Sequence, residues 1–212
     1  MLVDVNHQIN AVDRAVGSRT IEAGTASVVT ISQVYDTSVE DLWDACTNPE
    51  RIPRWFLPIS GDLVLGGTYQ LEGNAGGTIE SCSPPESFSA TWEYGGQVSW
   101  IELRLTAEGD KARFTLDHIA LPDDRWTEFG PGAVGIGWDL SFVGLAKHLE
   151  SGAAVDPQEG MEWTMSAAGA EFMTLSNDRW CAAAIAAGED AAAAKAAADR
   201  TLAAYTAAPA EG

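Results

Sequence analysis

Three histidines, three cysteines and a group of large aromatic rings carry the chemical potential of this 212-residue chain. His118 lies in RFTLDHIAL, two residues after Leu116 and four after Phe114. Alternate residues of a strand share a face, so its imidazole points with Leu116 and Phe114 to the apolar side. There it can act as a hydrogen-bonding or acid–base group on a cavity wall. It can equally be a satisfied core histidine, tied to a backbone carbonyl or to a covering helix. Asp117 falls on the opposite face and is badly placed to assist it. Glu80, in GGTIE, would have a raised pKa and acid–base capacity if it pointed inward, and would be merely solvated if it pointed outward. Alternation alone leaves its direction open. His7 sits in a weakly patterned stretch. His148 stands near the expected end of a helix, where the macrodipole favours it.

The rings give a second kind of chemistry. Trp55, Phe56, Tyr69, Trp92 and Trp138 are suited to line a pocket for an apolar molecule, and Phe142, one turn after Trp138, goes with them. The plainer alternative is that these rings simply fill the core. Trp43 reads as core. Trp100 falls on the face opposite Ile101, either exposed, under C-terminal helices or in a contact between two copies.

Other chemistries lack their residues. Cys46, Cys82 and Cys181 are odd in number, widely spaced and without a CxxC pair, so they read as free thiols of a reducing cytoplasm. No spacing groups His, Cys and carboxylates as metal ligands. GxSxG, HExxH, a P-loop and a strand-borne GxGxxG are all missing, so no nucleophile or cofactor is expected. The chain carries 12 basic and 31 acidic residues, a net charge of −19. Nucleic acid binding needs clustered Lys and Arg, and this balance excludes it. The same charge disfavours an anionic membrane surface. No stretch approaches the roughly 20 apolar residues of a membrane helix, and the N-terminus lacks a signal-peptide pattern. The expectation is a cytoplasmic protein whose acidity serves solubility.

The elements that would position these residues follow from periodicity. Residues 1–25 are polar and weakly patterned, and read as a loosely ordered arm. ASVVTISQVY at 26–35 alternates and is β-branched, with Val29, Ile31 and Gln33 on one face. Thr37 or Ser38 then caps a helix carrying Glu40 and Asp41 in its first turn, and Asn48-Pro49 starts a second short one. TYQL, TIESC, ESFSATWEY, QVSWIELRLT and RFTLDHIAL follow, separated by Gly- or Pro-rich turns, as an antiparallel meander. One apolar face per strand demands a cover. Residues 132–150 supply it: Val134, Trp138, Phe142, Leu145 and Leu149 form a helical stripe. Gly135, Gly137 and Gly144 in that helix are expected to let it approach the sheet. After residue 153 come one or two helices over 161–187. An Ala-rich helix then runs from Glu189-Asp190 to about Ala208, before a frayed APAEG. It is expected to pack thinly, or to pair with a second copy in a homodimer.

SVEDLWDACTNPERIPRWF, Gly66-Gly67, GGTIE, PPESFSATWEY, TLDHIALP and GIGWDLSFVGLAKHL occur in the order and spacing of one family. Over about residues 26–152 the chain resembles the START-like (SRPBCC, Bet v 1-like) superfamily, in the branch named after the C-terminal domain of the Hsp90 ATPase activator. The ending, with RWCAAAIAAGED and AAADRTLAAYTAAP, resembles an extension of actinobacterial members. The resemblance implies an α+β helix-grip fold, a curved antiparallel sheet wrapped around a long helix, at 26–152. An N-terminal arm (1–25) and a helical C-terminal extension (153–212) flank it. It also implies a cavity between helix and sheet that takes an apolar or amphipathic small molecule. Residues 1–25 are too short for the Hsp90-binding domain of the eukaryotic co-chaperones, so a co-chaperone role is not expected. Two other functions stay in view: a cyclase, hydratase or hydrolase using His118, and a chaperone-like or regulatory adaptor.

Overall fold

Residues 2–207 are described by the computed structural model. The β-branched run forms β2, Gly24–Tyr35, at the heart of the fold. Ser38 then caps α2, Val39–Thr47, accepting from the Asp41 amide, and a single 3-10 turn follows at Ile52–Arg54. The meander is β3 (Ile59–Gly61), β4 (Thr68–Leu71), β5 (Gly76–Ser83), β6 (Ser87–Tyr94), β7 (Gln97–Glu108) and β8 (Lys111–Ala120). A short helix α3, Asp124–Phe129, leads into α4, Gly132–Ser151, which stops at Gly152 in the left-handed conformation. All strands join one antiparallel sheet in the order β1-β2-β8-β7-β6-β5-β4-β3, where β1 is Val12–Ile21. The fold is thus α+β, a helix gripped by a curved sheet. The inward sets are those that alternation assigns: Val29 and Ile31, Ile101, Leu103 and Leu105, Phe114, Leu116 and His118 are all buried.

Two local expectations are corrected and a third point, an added strand, goes with them. First, the N-terminal stretch is not a loose arm. Asp4 caps α1, Val5–Ala11, and β1 pairs with β2 along its whole length. The polar composition misled because only one face of β1 is covered and Arg14 sits on it. Second, the glycines of α4 do not admit the sheet. A Cβ at Gly135 would lie 2.3 Å from the Trp180 ring, one at Gly144 2.3 Å from the Trp55 carbonyl oxygen, and one at Gly137 meets Tyr205. The close approaches are made by a later helix, a loop and the last helix. Third, β3 is too short to be seen as alternation.

The C-terminal helices are α5 (Pro157–Thr164), α6 (Ala167–Ala186) and α7 (Ala191–Thr206). α6 packs against β1, α1 and α4. Trp163 and Phe172 join Val5, Ile9 and Val143 in a second apolar cluster. The Ala-rich α7 docks on its own chain. Thr201 donates to the Phe129 carbonyl, Tyr205 to the Ala133 carbonyl and Arg200 to the Glu128 carbonyl. The expected frayed APAEG lies outside the described residues.

Gly135 allows a direct check. Alanine in a helix interior is favoured over glycine by about 1 kcal/mol. Overpacking against the buried Trp180 ring costs roughly 1–3 kcal/mol, and at 2.3 Å the upper end applies. Gly135→Ala is therefore expected to lose about 2 kcal/mol in urea unfolding. A raised midpoint would refute this packing.

Candidate functional site

A cavity of about 290 Å³ lies between α4, α2 and the concave face of β4–β8. Two strand pairings build its floor: Ala90 sits opposite Ile101, and Leu103 opposite Leu116. α2 contributes Trp43, Cys46 and Thr47, and β5 contributes Ile79. The loop after the 3-10 turn contributes Trp55 and Phe56. It can press on α4 because residue 144 has no side chain. Cys82 and Pro84, both exposed, mark the rim.

The walls are ring systems. Trp55 and Phe56 stack at 5.4 Å and 24°, and Phe56 and Trp138 at 6.3 Å and 25°. Trp92 meets Trp138 at 5.0 Å and 56°, and Trp43 meets Phe88 edge-on at 6.3 Å. The structure therefore brings Trp55, Phe56, Tyr69, Trp92 and Trp138 together around one space. It leaves Phe142 and His118 out of the lining. Phe142 is fully buried against Phe114 and Tyr35, because α4 turns it toward β2 and β8 rather than the cavity.

His118 lies behind the wall. Trp138 Nε1–H donates to its Nδ1 at 3.1 Å. An indole can only donate, so Nδ1 accepts and the proton sits on Nε2. Nε2–H then meets the Ser99 hydroxyl at 3.0 Å, and that hydroxyl donates to the Trp92 carbonyl at 3.0 Å. Burial pulls the His118 pKa down to about 4, so the ring is neutral at pH 7. Both ring nitrogens are engaged in holding Trp138 and the β6–β7 pair. Asp117 faces outward to Thr30 and Arg104. Glu80 is exposed, in a recess on the outer face with Arg19 and Trp100. Trp100 thus lies on the convex side, away from the cavity.

Among the described residues, none that lines the cavity is Asp, Glu, Lys, Arg or His. Its polar groups are mostly occupied within the protein. Thr47 donates to the Trp43 carbonyl, Trp55 Nε1–H to the Ala45 carbonyl and the Tyr69 hydroxyl to the Thr91 carbonyl. Burial pushes the Cys46 thiol and the Tyr69 phenol up, so both stay protonated. The site can desolvate and stack; it offers no charged group for acid–base work.

His148 stands in the last turn of α4, as expected, and has further partners there. Its Nδ1 lies 2.7 Å from the Ala153 carbonyl, which can only accept, and its Nε2 faces the donor-only Arg51 guanidinium. The ring thereby bridges α4 to the Arg51 cluster and to the segment after Gly152. Trp43 packs on the core, as expected, and with Cys46 also lines the cavity. Asp139, buried in the middle of α4, was missed altogether, though a carboxylate set between Trp138 and Leu140 is a visible anomaly.

Residues 36–150 match the family described as activator of Hsp90 ATPase homolog 1-like protein. No curated protein matches the sequence. Among solved structures, CalU16 from Micromonospora echinospora is 36% identical. Its solution structure covers 84% of this chain and 97% of its own, with a TM-score of 0.69. Its crystal structure covers 82% and 98%, with a TM-score of 0.63. CalU16 therefore has counterparts for part of the chain outside residues 36–150. DynU16, described as a protein in the dynemicin biosynthetic locus, is 22% identical, covers 60% of this chain and 48% of its own, and has a TM-score of 0.54. The Aha1 dimer from Colwellia psychrerythraea is 16% identical, covers 59% and 97%, and has a TM-score of 0.50. These last two share the fold.

Proposed function

The chain belongs to the family of activator of Hsp90 ATPase homolog 1-like proteins, and from that premise we propose that it binds a small hydrophobic or amphipathic molecule between sheet and α4. One observation carries this reading. Protein interiors hold few voids larger than a water molecule, yet about 290 Å³ stays open here behind a wall of rings. Such a space is what an apolar ligand fills. A cyclase, hydratase or hydrolase built on His118 has less support: that ring is engaged at both nitrogens, and no carboxylate faces the cavity. No helix among the described residues is long and apolar enough to cross a membrane.

A thermal-shift screen of apolar compounds tests the reading. A ligand at a hundred times its Kd stabilises by about 2.7 kcal/mol. For a domain of this size the Tm should rise by roughly 5–10 °C. The variant Ala90→Phe, which adds a ring at the cavity floor, should lose that rise. If no compound shifts the wild-type protein, or if the variant responds equally, the proposal is wrong.

A further inference from the structure

The cavity also constrains the charge of what it holds, an inference that rests on the reading above. Its volume is about twice the ~150 Å³ that accommodates a single benzene ring. Two or three fused rings fit that space. The stacked series Trp55, Phe56 and Trp138, with Trp92 tilted across its end, offers faces and edges to such rings.

No lining residue carries a formal charge. Arg51, the cation whose field reaches the Cys46 thiol, is already paired with Asp41 at 2.7 Å and Asp44 at 3.0 Å. The Trp55 and Trp138 indole N–H groups and the Tyr69 hydroxyl are already given to the Ala45 carbonyl, His118 and the Thr91 carbonyl. These polar groups of the wall are neutral, and burial keeps the Cys46 thiol protonated. An ionised group brought inside would lose its hydration with no partner in return, which costs several kcal/mol. The net charge of −19 adds a repulsive field against anions outside the cavity.

We propose that the site takes a neutral ligand of two or three fused rings, and rejects fatty-acid-like or phosphate-bearing amphiphiles of the same size. This narrows the ligand class to the uncharged members of the hydrophobic and amphipathic set.

Three matched probes test it on the full chain at pH 7.5 by tryptophan fluorescence: naphthalene-2-methanol, naphthalene-2-carboxylate and naphthalene-2-methylammonium. The neutral alcohol is expected to bind, and each ion to bind at least about a hundred-fold more weakly. If the carboxylate or the ammonium binds within about three-fold of the alcohol, charge selection is overturned while ligand binding in the cavity stands. If none of the three binds, while a flexible neutral probe, decan-1-ol, does, the ring-system claim falls. If neither rings nor chain bind, the parent reading falls with it.

Discussion

Replacing Asp139 by alanine lowers stability by about 3–5 kcal/mol, the loss expected when a buried ion pair is broken from one side. Asp139 is fully buried and the Arg14 side chain is 4% exposed. The carboxylate takes Arg14 Nη2 at 2.7 Å and Nε at 2.9 Å, and its Oδ2 also accepts from Ser176 at 2.6 Å and Trp180 at 2.8 Å. Arg14 Nη1 donates to the Ile9 and Val12 carbonyls. The network ties three distant elements together: β1 through Arg14, α4 through Asp139, and α6 through Ser176 and Trp180. Alanine at 139 strands a guanidinium, a hydroxyl and an indole N–H in the interior at once. The double variant Arg14→Met with Asp139→Leu removes the charges together and is expected to cost much less, because no ion is left unpaired. Urea unfolding of the three proteins decides it. A single variant within about 1 kcal/mol of wild type would mean that water or a rearranged Arg14 replaces the carboxylate. The same network bears on the C-terminal extension. Residues 1–152 expressed alone lose Ser176, Trp180 and the cover over Arg14, and should fail to give a cooperative transition.

The second large effect is a pH dependence. The unfolded chain takes up a proton at His118 near pH 6.5, and the folded chain only near pH 4. Between those values the unfolded state binds more protons, so stability falls as pH falls. Above pH 6.5 the contribution is complete and constant; below pH 4 it is gone. At 1.36 kcal/mol per unit the loss across the window is roughly 3 kcal/mol. Protonation also places an N–H on Nδ1, against the Trp138 indole that donates to it, so the same acid shift loosens a wall of the cavity. His118→Phe should be less stable than wild type at pH 7, because Trp138 and Ser99 lose their partner. Its stability should then vary less between pH 6.5 and 4, so that the two curves converge in acid. Parallel curves would show that His118 titrates normally and is not buried as described.

These effects show where local pattern is informative. Alternation places Ile101, Leu103, Phe114 and Leu116 correctly because one face of each strand is dry, and period two follows directly from that. The 132–150 stripe is legible for the same reason at period 3.6. The cavity is harder, because a ring facing a void and a ring facing another ring occupy the same register. That is why Trp55 and Trp92 could be grouped but Phe142 could not be separated from them. His118 was placed on the right face, but its partners Ser99 and Trp138 come from β7 and α4, and no spacing within one element encodes such a meeting. Arg14 and Asp139 lie 125 positions apart. An arginine in a polar stretch and an aspartate in an apolar one are each unremarkable or odd alone, and make sense only as a pair. The α4 glycines could be recognised as sites of close approach, while what approaches, Trp180 and Trp55, is set by tertiary packing.

The central claim is that a neutral apolar molecule enters the space between α4 and the sheet. It is tested most directly by methyl NMR of the full chain during titration with naphthalene-2-methanol. Ile79, Ile101, Leu103 and Leu116 line the cavity, whereas Ile31, Leu42 and Ile136 are fully buried outside it. The expected result is a saturable, ring-current shift of the first four methyl sets with the other three nearly still. Shifts confined to exposed residues such as Val64, Leu65 and Val98, or no saturable shift at all, would contradict it.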